Sequence, residues 1–316
     1  MADGPDKRRM YSTVLHTHFE SGKPVAAGHP RALIYYICGN PGLIHFYDDF
    51  LGMLAQMIRQ SPVARAYDVY GRDLFGFNDG DHEAFSQQNP PWDLEGQIEG
   101  IYADVIQKAA GENYEFVILM GHSVGAYIAT EIMHRHMKNG RSRAPSLHLR
   151  HGILLFPTLT HIALSPSGKR MSLLQQVPFL DANFHLLAKT LLSCFSESML
   201  RWVIETVMGF SPQSAAVTAG WLKSRDGVWQ AVHLGQSELA TIRDDAWEAE
   251  LWDVMMRSEG EDKTSTPKFF MFYGKDDHWV ANKLRDDFID SRKDSGNRIE
   301  VDEGDIPHAF CTRESE

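Results

Sequence analysis

The chain has 316 residues, 43% of them hydrophobic and 23% charged, with 25 Gly and 14 Pro. Such a mixture belongs to a globular chain of one large domain or two and excludes a collagenous, coiled-coil or disordered one. The net charge of −11 excludes nucleic acid as the expected partner. The first twenty residues lack the apolar core of a secretory signal, and no stretch approaches the ~18 uninterrupted apolar residues of a membrane span. Residues 31–38 (RALIYYIC) form a near-continuous apolar run, the pattern of a strand buried on both faces. The turn Gly39-Asn40-Pro41-Gly42 follows, and helical periodicity runs from 44 to 59. A strand is predicted over 66–70. Over 94–111, Ile98, Ile101, Tyr102, Val105, Ile106 and Ala109 recur on one face of a predicted helix. A second apolar strand, 114–120, leads into Gly121-His122-Ser123-Val124-Gly125 and a helix over 126–138.

After a strand at 151–156 the alternation stops. Residues 157–266 are helical in character and far longer than the ~4–6 residues of an ordinary α/β connection. Strand 268–273, helix 281–293 and strand 297–301 then restore the pattern. The prediction is an α/β fold with a mostly parallel sheet flanked by helices. Its core spans residues 1–156 and 267–316, and a helical cap is inserted at 157–266. Cys38, Cys194 and Cys311 are too scattered for a disulfide framework or a zinc site, which suits a reducing compartment. The expected location is therefore cytoplasmic or peripheral to a membrane, not secreted.

The pentad around Ser123 matches G-x-S-x-G in a strand–turn–helix setting, the context of a nucleophile elbow. Such a turn is strained and tight, so Gly121 and Gly125 avoid the clash that a Cβ would make with the adjoining strand or helix. A serine hydroxyl needs a base to take its proton. In the order serine, acid, histidine, Asp277 follows strand 268–273 and His308 follows strand 297–301, each where a C-terminal sheet edge gathers its site. His308 is the predicted general base and acid, and Asp277 the carboxylate that orients it. Asp276 and Asp305 are alternative acids. The oxyanion hole is expected from two main-chain donors, Val124 N–H and Asn40 N–H, since Pro41 has none. His122 is expected to point away from the reaction, in a structural or substrate-facing role. No metal or organic cofactor is expected. His134 and His136, two apart on a helix, do not share a face, and Trp247 and Trp252 are expected to pack.

These residues resemble the α/β-hydrolase superfamily, with Cys38 standing where many members carry histidine in a His-Gly-x-Pro-Gly loop. The resemblance narrows to the lipid-droplet-associated hydrolase family through CGNPG, HFYDDFL, LEGQIE, GHSVGAY, LFPTLTHIALSPSGKRM and YGKDDHWV, in that order between about 35 and 310. It implies an α/β-hydrolase fold with a helical cap and a triad of Ser123, Asp277 and His308. In the GxxDxW context the acid aligns with Asp277. The resemblance also implies a lipid-droplet or endoplasmic-reticulum surface as location. Neutral lipids such as sterol esters or acylglycerols are then the expected substrates, cleaved at an ester bond through an acyl-serine intermediate. The apolar stretch 171–210 suits a lipid or simple packing of the cap, while Lys169-Arg170 and Lys7-Arg8-Arg9 read first as solvated clusters. Two alternatives fit the same residues: a droplet-surface binding protein with little activity, and a small-molecule carboxylesterase or thioesterase.

Overall fold

Seven strands form one sheet in the computed structural model, which describes residues 14–20, 31–61, 65–112, 114–176, 178–244, 247, 249–252, 268–293 and 297–313. They are β1 (Val14–Glu20), β2 (Arg31–Ile37), β3 (Ala66–Arg72), β4 (Phe116–His122), β5 (Leu149–Leu155), β6 (Lys268–Tyr273) and β7 (Arg298–Val301). Their spatial order is β1-β3-β2-β4-β5-β6-β7. β1 runs antiparallel to β3, and every other pair is parallel. The apolar run in β2 has its cause here, because residues 32–37 are buried between β3 and β4 and covered on both faces. β1 was not anticipated. It is a half-buried edge strand whose short polar-apolar alternation carries a weak signal.

Three helices connect the first strands: α1 (Asp48–Gln60) after β2, α2 (Leu94–Glu112) after β3 and α3 (Val124–Arg143) after β4. α2 and α3 pack together, and α3 lies on β2, β4 and β5. Because crossovers are right-handed, α1 covers the opposite face. The predicted apolar stripe of α2 faces inward, with Ile98, Ile101, Tyr102 and Val105 buried. The helix predicted from 44 begins instead as a 3-10 turn, Ile44–Tyr47, in which Ile44 N–H donates to Asp73 Oδ1 at 2.8 Å. β4 and α3 meet with no loop between them, β4 ending at His122 and α3 starting at Val124.

From β5 to β6 the described residues are helical: α4 (Pro166–Gln175), α5 (Pro178–Ser193), α6 (Glu197–Thr206), α7 (Pro212–Leu222), α8 (Gly227–Thr241) and the short α9 (Ala249–Trp252). Ser165, Ser196 and Ser211 each cap the N-terminus of a helix through the side-chain oxygen, and Pro166 and Pro212 take the first helical position, where a missing N–H costs nothing. α7 is tied to the loop beyond β7, since Ser211 N–H donates to Thr312 C=O at 2.9 Å and Ser214 Oγ to Cys311 C=O at 3.1 Å. α10 (Asn282–Asp290) joins β6 to β7. Residues 253–266, the end of the predicted cap, and the cluster Lys7-Arg8-Arg9 lie outside the described residues. Among the described residues, no helix is long and apolar enough to cross a membrane.

Trp247 and Trp252 are buried, their rings 5.6 Å apart. His136 is occupied structurally, with Nδ1 accepting from Tyr102 Oη and Nε2 donating to Leu147 C=O, both at 2.8 Å. The sheet centre lies at Leu119 in β4, which is fully buried. Leu119→Ala removes packing there with little room to relax, and is expected to lower the unfolding free energy by about 2–5 kcal/mol. Urea unfolding with an unchanged m-value checks it.

Candidate active site

The strand order reverses at β2. From it the chain moves to one side to form β3 and then crosses back to form β4 on the other, and a crevice opens at the carboxyl ends of strands around such a switch point. Four loops converge there: 38–43 after β2, the turn at 123 after β4, 274–280 after β6 and 302–309 after β7.

Ser123 occupies the tight turn with φ 55° and ψ −124°, a region that a residue with a side chain rarely adopts. The turn is closed by Ser123 N–H donating to Leu155 C=O at 3.0 Å and Ala126 N–H donating to Ser123 C=O at 3.0 Å. Its flanking glycines have no room for a Cβ. One at Gly121 would sit 2.2 Å from Gly125 O, and one at Gly125 would sit 2.3 Å from Ile37 O. Both obstacles are backbone, so neither can swing aside.

The structure brings Ser123, His308 and Asp277 into one line. His308 Nε2 lies 2.8 Å from Ser123 Oγ, and His308 Nδ1 lies 2.6 Å from Asp277 Oδ2. A carboxylate can only accept, so Nδ1 carries the hydrogen and Nε2 is left as the acceptor for the serine hydroxyl. Asp277 is 4% exposed and His308 7%. The other oxygen of Asp277 accepts Trp279 N–H at 2.8 Å. The alternative acids Asp276 and Asp305 are exposed.

Residues that sequence reasoning missed hold this line in place. Arg285, buried in α10, donates through Nη1 to Gly274 C=O at 2.7 Å and Lys275 C=O at 2.9 Å, bracing the loop that carries Asp277. Tyr47 Oη accepts Gly39 N–H at 3.0 Å and donates to His122 Nδ1 at 2.8 Å. His122 Nε2 in turn donates to His308 C=O at 2.8 Å. His122 thus points away from Ser123 Oγ into a structural chain, although it also borders the cavity. Burial pushes Tyr47 well above its ordinary range and His122 down to about 3, with the nearby His308 adding to the depression. Both stay neutral, as the hydrogen bonds require.

Gly39 N–H is spent on Tyr47. Among the described residues the N–H groups of Asn40 and Val124 have no acceptor within the chain. The Asn40 side chain reaches α8, donating to Ala231 C=O and Glu238 Oε1, both at 3.0 Å. Above Ser123 lies a cavity of about 300 Å³ with a largely apolar wall that includes Phe46, Ile162, Met171, Phe210 and Leu239. A separate group, Asp79, His82 and Asp226, has ligand atoms within 4.8 Å of one another. Its oxygens already serve the chain: Asp79 accepts Arg225 N–H at 2.5 Å and Asp226 accepts Phe85 N–H at 3.2 Å. The group ties the loop after β3 to the start of α8.

A mostly parallel sheet flanked by helices, with its serine turn beside a switch point, is the α/β-hydrolase fold. The peroxisomal alpha-beta-hydrolase Lpx1 of Saccharomyces cerevisiae is similar with a TM-score of 0.56 at 12% identity, over 95% of this chain and 84% of that one. The crystal structure of DBJA gives 0.52 at 12% identity, over 93% and 89%. At such identities the likeness speaks for the fold alone.

The family model described as lipid-droplet associated hydrolase matches residues 30–311, and the chain belongs to that family. The lipid droplet-associated hydrolase of Mus musculus is 30% identical over 294 residues, 89% of this chain and 80% of that one. That of Rattus norvegicus is 27% identical over 293 residues, again 89% and 80%. That of Drosophila melanogaster is 25% identical over 304 residues, 90% and 86%. The chain is a hydrolase.

The neutrality of His122 has a pH signature. Unfolded, it binds a proton below about 6.5; folded, it does so only below about 3. Stability is therefore lost as pH falls through that window, by up to ~1.4 kcal/mol per pH unit from this group. The buried carboxyls of Asp73 and Glu238, each raised to about 7 by burial, lose stability in the opposite sense, as pH rises. They are common to wild type and variant. The expected outcome is that His122→Asn is less stable than wild type at pH 7, and that the gap narrows as pH falls to 4, measured by urea unfolding at each pH.

Proposed function

We propose that this hydrolase cleaves ester bonds of neutral lipids through an acyl-serine intermediate. The observation that carries the reading is the line from Ser123 Oγ through His308 to Asp277, with contacts of 2.8 and 2.6 Å, at the floor of a largely apolar cavity. Ser123 Oγ attacks the ester carbonyl while its proton passes to His308 Nε2, and Asp277 stabilises the imidazolium so formed. The carbonyl oxygen becomes an oxyanion held by Asn40 N–H and Val124 N–H. Collapse breaks the bond to the alcohol, which leaves with the proton from His308. A water then gives a proton to the same nitrogen and attacks the acyl-serine. The second collapse frees the acid and returns the proton to Ser123. None of these steps calls for a metal or an organic cofactor.

Two features support a lipid surface as the place of work. Ten of the seventeen exposed large apolar side chains among the described residues fall between Leu164 and Met208, including Leu173, Leu191, Trp202 and Val207. Met208 also borders the cavity, so this apolar surface runs to the mouth of the site. Over 164–223 the chain carries five Lys and Arg against three Asp and Glu, whereas the whole chain has a net charge of −11. An apolar surface with local positive charge suits a layer containing anionic headgroups. In this reading the segment 157–266 is a cap that both walls the cavity and rests on a lipid-droplet or endoplasmic-reticulum surface.

A fluorophosphonate probe tests the chemistry. Wild type is expected to label at Ser123 alone, and Ser123→Ala to lose labelling and about 10³-fold or more of its ester hydrolysis while staying folded. Normal turnover by folded Ser123→Ala overturns the mechanism. The chain-length dependence separates lipid from small esters, since a lipid enzyme gains kcat/KM as the acyl chain lengthens. For the surface, Leu191→Glu with Trp202→Glu is expected to weaken flotation with phospholipid-coated triacylglycerol droplets at least about tenfold, with hydrolysis of a short soluble ester unchanged. Undiminished flotation removes this face from the lipid contact.

A further inference from the structure

Glu238 is a carboxyl where the surroundings favour an apolar side chain. It lies on α8, 5% exposed, and among the described residues it is the one carboxyl, and the one side chain of Asp, Glu, Lys or Arg, that borders the cavity over Ser123. The other titratable groups on that cavity are Tyr47, His122, His308 and Cys311. The single hydrogen-bond partner of its carboxyl among the described residues is Asn40, whose Nδ2 donates to Oε1 at 3.0 Å. A buried carboxyl with one partner is costly to keep.

The geometry of Asn40 gives that carboxyl a use. Both hydrogens of its amide are directed at α8, one to Glu238 Oε1 and one to Ala231 C=O, each at 3.0 Å. Ala231 and Glu238 are seven residues apart and so lie two turns apart on one helix face. On the other side of the loop, Gly39 N–H is fixed to Tyr47 and through it to His122. The main-chain N–H of Asn40 is therefore clamped between the sheet below and α8 above. A donor that is to hold a developing charge must be fixed before the charge appears.

We propose that Glu238 is a positioning residue for the oxyanion hole, holding the Asn40 side chain from α8 so that the Asn40 N–H is aimed correctly only while the inserted helices sit on the sheet. This deepens the proposed acyl-serine mechanism and rests on it. It also carries a charge requirement. Burial raises the Glu238 carboxyl to about 7, opposed only by the bond from Asn40. Above that pH the ionised form puts a negative charge beside the forming oxyanion in an apolar cavity, where it is poorly screened.

The test is the rate of fluorophosphonate labelling at Ser123 from pH 6 to 9 in wild type, Glu238→Gln, Glu238→Leu, Asn40→Ala and the pair Glu238→Leu/Asn40→Ala, with thermal melting of each. Glu238→Leu is expected to slow the maximal labelling rate about tenfold or more at pH 6.5, with little change in the probe concentration that half-saturates it. Glu238→Gln still accepts from Asn40, and is expected to recover the rate to within about threefold and to lack the wild-type decline above pH 7. The double variant is expected to be no slower than the slower single one, because both changes break one contact. Glu238→Leu at the wild-type rate, Glu238→Gln as slow as Glu238→Leu, or additive losses overturn the proposal while leaving the mechanism intact. Wild type that fails to label at Ser123 overturns the mechanism and this inference with it. Should Glu238→Leu fail to fold, the Glu238→Gln pH profile and the Asn40→Ala rate decide in the same way.

Discussion

Ser123 stands at φ 55° and ψ −124° because the chain passes from β4 into α3 without a single loop residue between the turn and either element. Such a backbone is unfavourable and persists only where its neighbours leave no alternative. Here the neighbours are backbone itself: Gly125 packs against Ile37 and Cys38, and Gly121 against Gly125 and Ala126. The hydroxyl is thereby held above the sheet edge on rigid elements, and every other group of the site is arranged around that fixed point. The turn also begins α3 at Val124, so the first amide of the helix, Val124 N–H, follows the serine directly and has no acceptor within the chain among the described residues.

Around the turn the polar groups are joined to one another rather than to solvent. Tyr47 links the loop after β2 to His122, and His122 links to the carbonyl of His308. Arg285 holds the carbonyls of the loop that carries Asp277. Each buried polar group would be costly alone and is rigid when partnered. The three loops that follow β2, β6 and β7 are in this way tied to buried groups at the sheet edge. The helical segment joins the same network through Asn40 and α8 and through Ser211 and Thr312. Its outer surface carries many exposed apolar side chains, and its cavity face is largely apolar too, so the one segment presents two apolar faces and also touches the loop after β2.

Much of the framework was legible because burial leaves a period in the sequence. β6 runs over the six residues of KFFMFY as predicted, and the α2 stripe of Ile98, Ile101, Tyr102 and Val105 is buried as its spacing implied. Boundaries moved where hydrogen bonds, not hydrophobicity, set them. The Asp73 contact with Ile44 N–H accompanies a 3-10 turn ahead of α1, and β4 continues into His122 because the elbow admits no loop. β1 was missed for the complementary reason, since a half-buried edge strand of seven residues shows an alternation too short and too polar to stand out.

The sequence by itself determined the alternating α/β pattern, the long helical interruption before residue 268, and the glycine-flanked serine between a strand and a helix, because each depends on neighbours within a few residues. It also pointed to Asp277 as the acid by its place after a strand and by the GxxDxW resemblance, with Asp276 and Asp305 as alternatives. Only the tertiary structure decided that Asp277 is buried against His308 while Asp276 and Asp305 are exposed. Only it brought Tyr47 to His122 across 75 positions and Asn40 to Glu238 across 198. Contacts between single residues so far apart leave no periodicity or spacing in one chain, and they exist only once the sheet has gathered its loops at one edge.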